Sequence, residues 1–316
     1  MFKLPQTLSS RPCVNELADF SEWLAWTRGK VSAREILAAL GRLDENDVNV
    51  GCDDNADDLA AELDEVMNEI ERRSSACDGA YPFALGLQGT VLFYAPPKDP
   101  RATVYCYLLM GTRLNMQANR THAQIDGALL FEELGAHVLG NYLGGQAVPG
   151  QANRRRAKSL VFGTGNPGSF AGKVADLCTQ LGEGGAFRKL DDADVDAQDD
   201  KLDVIAWVPF SDQKRSQLIL FGQCKTGTSW DGQKTQLQPD AFVHRWMRDP
   251  FLMMPMRVFM ITEASDRAQW CGDSLYAGLF FDRCRIIDFS ENLDDKLLAR
   301  IGVWTDAAKL NVTTVN

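Results

Sequence analysis

The chain has 316 residues, 45% of them hydrophobic and 24% charged, which suits an ordinary globule with one large core or two modest ones. It has no run of about eighteen uninterrupted apolar residues, which excludes a membrane-spanning helix, and the opening MFKLPQTLSSRPC lacks the apolar stretch of a signal peptide, so a cytoplasmic location is expected. A net charge of −10 disfavours nucleic-acid binding over the whole surface, but the charge is uneven: residues 44–71 hold twelve Asp or Glu, whereas Arg154, Arg155, Arg156 and Lys158 form a basic cluster.

Along the chain, Leu17, Phe20, Trp23 and Leu24 mark a helix over roughly 14–27. Ser32 and Glu35 are spaced as a capping box for a short helix over about 32–41. An acidic helix follows, with Leu59, Leu63, Val66, Met67 and Ile70 at helical spacing and the acids on its other faces. FALGLQGTVLFYAPP and ATVYCYLLMGTRL, two β-rich runs around KDPR, predict a hairpin. A helix is expected over 124–143, a short strand at KSLVFG, and a helix at AGKVADLCTQL that stops at the glycines of GEGG. The strands LDVIAWVPF and QLILFGQCK then form a hairpin over 202–225, apolar on both faces as in a covered sheet. A helix near 239–247, a strand at MRVFMITEA, a helix over 265–276, a strand at GLFFDRCRIIDF and a C-terminal helix complete the reading. The expected fold is therefore α/β from about residue 119, preceded by an α+β leader over residues 1–118 that is either a separate domain or an elaboration of the same one.

The eight cysteines contain no CxxC pair and several lie in apolar runs, which predicts reduced, buried thiols. Three histidines are too few for a histidine-rich metal site, and His137 and His244 read as local hydrogen-bonding residues. Chemistry concentrates at the 202–225 hairpin. Strand alternation puts Ile219, Phe221, Gln223 and Lys225 on one face, with Leu218, Leu220 and Cys224 on the other. Asp203 opens the paired strand, and a carboxylate there must be solvated, paired or bound to a metal.

A carboxylate on one strand followed by (Asp/Glu/Gln)-x-Lys on the next resembles the PD-(D/E)XK nucleases. The glutamine form, KLDVIAW…LILFGQCKTG, is similar to the Mrr-like restriction endonucleases in particular. Those proteins open with a G-x-x-F-E-x-L helix whose glutamate joins the metal site. DGALLFEELGAHVLG offers Gly127, Phe131, Glu132 and Leu134, with one extra residue between Gly127 and Phe131. Glu132 shares its helical row with Ala128, Gly135, Ala136 and Leu139, an apolar neighbourhood suited to packing on a sheet, whereas neighbouring Glu133 shares a row with His137 and Gly140.

The resemblance covers roughly residues 120–290 and implies a restriction-endonuclease-like mixed sheet flanked by helices. It also implies DNA phosphodiester hydrolysis with Mg²⁺ or Mn²⁺ held by Glu132, Asp203, the Gln223 amide oxygen and the Cys224 backbone carbonyl, with Lys225 orienting or deprotonating a water. Restriction, phage defence or repair is the implied setting. The alternative is a subunit that keeps the fold for DNA binding or assembly without cutting, an option favoured by the neutral Gln223 and the negative net charge. Arg154, Arg155, Arg156, Lys158 and Lys234 are candidate phosphate contacts, set against their reading as solvated surface; Trp230 is read mainly as a packed ring. The acidic leader is a candidate docking region for a protein partner, such as an ATPase, or for a second copy of the chain.

Overall fold

The computed structural model describes residues 3–4, 12–39, 54–87, 89–145, 157–163, 168–190 and 200–313. In chain order the leader contains α1 (Val14–Arg28), β1 (Lys30–Ser32), α2 (Ala33–Ala39), α3 (Asp54–Ala76), β2 (Phe83–Gly86), β3 (Val91–Tyr94) and α4 (Arg101–Arg113). Next come β4 (Thr121–His122), β5 (Ile125–Asp126), α5 (Gly127–Tyr142), β6 (Lys158–Val161), α6 (Phe170–Leu181), β7 (Val204–Trp207) and β8 (Ile219–Lys225). The last elements are α7 (Pro239–Trp246), β9 (Met256–Ile261), α8 (Trp270–Ala277), β10 (Leu279–Phe281), α9 (Arg283–Asp288) and α10 (Asp295–Thr313).

The central sheet has five strands in the order β10-β9-β8-β7-β6, antiparallel from β6 to β8 and parallel from β8 to β10. This is the expected mixed sheet, and β7 and β8 pair as an antiparallel hairpin with Val204 opposite Gly222 and Trp207 opposite Ile219. Its two faces are both covered, as the doubly apolar strands require. Val204, Ala206 and Leu220 pack with α5, whereas Ile205, Trp207, Ile219 and Phe221 pack with Phe170 and Val174 of α6 and Phe242 and Trp246 of α7. Gly135 lets α5 lie close on the sheet, because a Cβ there would sit 2.9 Å from Cys224 Sγ and 3.2 Å from Met260 Sδ.

The leader differs from the expected strand pair around KDPR. The hairpin lies wholly inside FALGLQGTVLFY, as β2 and β3, while ATVYCYLLMGTR is the buried helix α4. Asp99 accepts the Arg101 N–H at 2.9 Å and opens that helix, and nearly all of its residues are enclosed. A segment surrounded by protein loses the polar face from which helical periodicity is read, so its β-branched and aromatic residues mimic a strand. The expected strand GLFFDRCRIIDF also divides: it ends at Phe281, and Asp282 accepts the Arg285 N–H at 3.0 Å to start α9. The helix expected over 265–276 begins later, at Trp270.

The capping box forms as expected, with Ser32 N–H donating to Glu35 at 2.6 Å and Glu35 N–H donating to Ser32 Oγ at 3.2 Å. α3 turns Val66, Met67 and Ile70 inward; Leu59 lies outside the residues whose side chains are described. The leader and the sheet share one core, which runs from Leu17 and Trp26 through Tyr105 and Leu108 to Val204, Leu220, Ile301 and Trp304. Cys77, Cys106, Cys178 and Cys284 are buried free thiols, whereas Cys13 and Cys271 are exposed free thiols. No helix among the described residues is long and apolar enough to cross a membrane.

A buried ionic cluster joins the two parts of the chain. Asp19 of α1 accepts from Arg73 of α3 at 2.6 Å, Arg113 of α4 at 2.5 Å and Arg283 of α9 at 2.9 Å. Glu22 accepts from Arg73 at 2.9 Å, Tyr81 at 2.7 Å and Tyr105 at 2.8 Å. All three guanidinium groups and both carboxylates are buried. Burial alone would push Asp19 up, but Arg113, Arg283 and Arg73 together hold its carboxyl far below the usual carboxylate range.

Candidate active site at the end of the β7–β8 hairpin

The site is built where β8 ends, beside the start of β7 and the second turn of α5. Asp126 fixes where α5 begins, accepting the N–H groups of Ala128 at 2.9 Å and Leu129 at 3.3 Å. That start places Glu132 and Glu133 on different sides of the helix. Glu132 is buried, whereas Glu133 forms an ion pair with Arg300 at 2.6 Å on the outside. Glu132 is therefore the glutamate that faces inward, in agreement with its apolar helical row.

Glu132 and Asp203 meet at Gly163, just past β6. A Cβ at Gly163 would lie 2.6 Å from Glu132 Oε2 and 3.3 Å from the Cα of Asp203. The N–H groups of Phe162 and Gly163 donate to the Asp203 carbonyl at 2.8 and 3.0 Å, so the same turn that receives the Glu132 carboxylate also holds the Asp203 backbone. Asp203 Oδ2 accepts the Cys224 N–H at 2.7 Å, which ties its side chain to β8. The Asp203 N–H donates to Gly222 O at 2.9 Å, so these two bonds bracket Gln223.

Gln223 is fully buried, and neither its Oε1 nor its Nε2 has a hydrogen-bond partner among the described residues. Lys225, two residues on, is half-buried at the strand end. Burial first, then the negative charges of Asp203 and Glu132, push the Cys224 thiol well above its ordinary value, and Lys225 opposes that shift. Asp203, Glu132 and Lys225 thus all act electrostatically on Cys224, the neighbour of Gln223. Cys224 takes part through its N–H, while its thiol packs beneath α5 beside Gly135.

Two residues of this neighbourhood were not singled out from sequence. Gly163 is the gap that admits the Glu132 carboxylate. Lys173 of α6 is buried with its Nζ 3.3 Å from Phe162 O and 3.0 Å from Gly163 O, which brings an ammonium under the same turn. A lysine inside AGKVADLCTQL carried no signal beyond its place in an amphipathic helix.

The remaining candidates are dispersed. Arg154, Arg155 and Arg156 lie outside the described residues. Lys158 is opposite Trp207, three residue pairs along the ladder from Val161–Val204, so it lies roughly 10 Å from the Asp203 end of the sheet. Lys234 donates to Asp231 at 2.6 Å and Asp273 at 2.8 Å, which compensates its charge. Trp230 is a packed ring whose Nε1 donates to Glu263 at 2.7 Å. His137 Nε2 sits 2.7 Å from Glu291 O, a local hydrogen bond.

Among the described residues no group of three or more His, Cys, Asp or Glu side chains is arranged to hold a metal. The site offers two carboxylates and one carboxamide, all hard oxygen donors of the kind Mg²⁺ takes. A buried amide with both atoms unbonded is a poor element of a closed core, because an unmet buried polar group costs about 1–3 kcal/mol. It fits an oxygen site that completes itself with a ligand. Scans against protein-family models, curated proteins and solved structures each found no match for this chain.

Proposed function

We propose that the chain is a metal-dependent endonuclease that hydrolyses DNA phosphodiester bonds on a PD-(D/E)XK-like variant of the mixed sheet. The observation that carries this reading is the buried Gln223 amide, which has no partner among the described residues and is bracketed by Asp203, with the Glu132 carboxylate entering at Gly163. Glu132, Asp203 and the Gln223 amide oxygen, with the Cys224 carbonyl as a fourth donor, would hold Mg²⁺ or Mn²⁺. When bound, such an ion supplies Lewis-acid activation of the phosphate and a more acidic water.

The chain's own residues do the rest. The Cys224 N–H donates to Asp203 Oδ2 at 2.7 Å and ties that carboxylate to β8 at the level of Gln223. Lys225 Nζ, at the open strand end, orients the attacking water or neutralises charge that develops on the phosphate oxygens. Gln223 brings no charge of its own, so the two carboxylates carry all the negative charge of the donor set, and affinity for the ion is expected to be modest.

The test is incubation of the purified protein with supercoiled plasmid, with and without Mg²⁺ or Mn²⁺. Cleavage that requires the metal and is lost in both Lys225→Ala and Asp203→Ala is the expected result. Cleavage that survives either substitution would sink the assignment.

A further inference from the structure

Beyond Lys225 the chain continues as Thr226, Gly227, Thr228 and Ser229, and this segment forms one wall of a cleft of about 500 Å³. The leader supplies the other wall, through Lys3, Asn115 and Gln117. Ala128, one helical turn before Glu132 on the same side of α5, also lines it, so the cleft opens next to the carboxylate site. The Gly227 N–H donates to Gly111 O at 2.8 Å, which fixes the first wall to α4.

The lining is selective. The chain has 43 Asp and Glu against 33 Lys and Arg, yet among the described residues no acid lines this cleft, while Lys3 and Arg120 do. Arg120 shares its guanidinium with Asp126, so Lys3 is the cation with the freer charge. The other polar groups are side-chain amides and hydroxyls, which suit phosphate and sugar oxygens. Among the described residues no aromatic ring lines the cleft, so they offer no platform on which bases stack. Its size is that of a small-molecule pocket, with room for about one or two nucleotides and none for a duplex.

We infer that this cleft seats the sugar–phosphate backbone of one nucleic-acid strand beside the scissile phosphate, so that the substrate is cut where a single strand leaves a duplex, at an end, a gap or a flap. The inference rests on the nuclease reading above and adds its substrate class. Recognition through backbone oxygens makes binding independent of base sequence.

The experiment measures fluorescence anisotropy of short labelled oligonucleotides in Ca²⁺, using single-stranded DNA, single-stranded RNA and blunt duplex DNA. The proteins are the wild type and a triple variant Lys3→Glu, Gln117→Glu, Ser229→Glu. Gln117 and Ser229 are exposed and Lys3 is half-buried, so a thermal melt should show the triple variant folded. The wild type should prefer single strands to blunt duplex, and the tighter of the DNA and RNA arms identifies the strand chemistry. The triple variant should bind single strands about tenfold or more weakly at low salt, with a salt slope shallower by about 0.7 for the lost Lys3 contact.

Equal affinity in the wild type and the folded triple variant, or no preference for single strands, overturns the inference. If the triple variant loses binding while the wild type cuts nothing in Mg²⁺ or Mn²⁺, the strand site stands and the nuclease reading falls. If the wild type cuts plasmid and the triple variant binds unchanged, the reverse holds.

Discussion

Gln223→Met separates a packed glutamine from one held ready for a ligand. The glutamine is fully buried and both amide atoms lack partners among the described residues, so its presence in the folded chain costs about 1–3 kcal/mol of unmet hydrogen bonding. Methionine has nearly the same shape and a volume-conserving exchange costs under about 1.5 kcal/mol, so the variant should be about as stable as the wild type or more stable, by up to about 3 kcal/mol, when divalent ions are chelated. Adding Mg²⁺ should reverse the advantage. A ligand at a hundred times its Kd stabilises the protein that binds it by about 2.7 kcal/mol, and the methionine variant, having lost an oxygen donor, should gain much less. Urea unfolding followed by tryptophan fluorescence, in EDTA and in excess Mg²⁺, reads both effects. A variant that is less stable than the wild type in EDTA would mean that the amide has a structural partner, and the reasoning from its isolation would be refuted.

Gly163→Ala places a Cβ 2.6 Å from Glu132 Oε2 and must push that carboxylate back by about 1 Å; the cleavage rate should fall about a hundredfold with little loss of stability, and Glu132→Asp in the same chain should restore part of it. An unchanged rate would remove Glu132 from the site. Asp19→Asn breaks the centre of the buried cluster and should cost about 3–5 kcal/mol in urea unfolding, far more than an exposed carboxylate. The arginines around Asp19 hold its folded pKa far below the unfolded value of about 3.9, so its contribution to stability is complete above that value and is lost as the pH falls below it. The wild-type urea midpoint should therefore drop steeply below about pH 4, and the drop should shrink in Asp19→Asn; parallel acid limbs for the two proteins would contradict this.

Much of the second half of the fold could be read from the chain. The β7–β8 pair, α6 with its glycine stop and the inward face of α5 follow from periodicities that survive because each element has a distinguishable face. The misread elements were those without one. α4 is enclosed on all sides, so its Val, Tyr and Cys residues looked strand-like, and the start of α9 depended on Asp282 acting as a cap inside an apolar run. The order Glu132, Asp203, Gln223, Lys225 was legible because each residue sits at a predictable place on its element. The turn at Gly163 was not, since a glycine in a loop gives no hint of which distant carboxylate will lie against it. The Asp19–Arg73–Arg113–Arg283 cluster was equally hidden, because its members are up to 264 positions apart and each looks like an ordinary surface charge in its own helix.

That separation in sequence also orders events in time. During synthesis, Asp19, Glu22, Arg73 and Arg113 emerge well before Arg283, so the leader must wait for α9 to deliver the last guanidinium of its interior. Contacts this distant are slow to close, and until this one forms, the partly made chain holds two acids without their full complement of positive charge. The same dependence runs backwards in any attempt to divide the protein. A fragment beginning at residue 119 keeps Arg283 but loses Asp19 and Glu22, the carboxylates that receive it. The leader thus supplies the counter-ions of α9, the helix that directly follows the last strand of the central sheet.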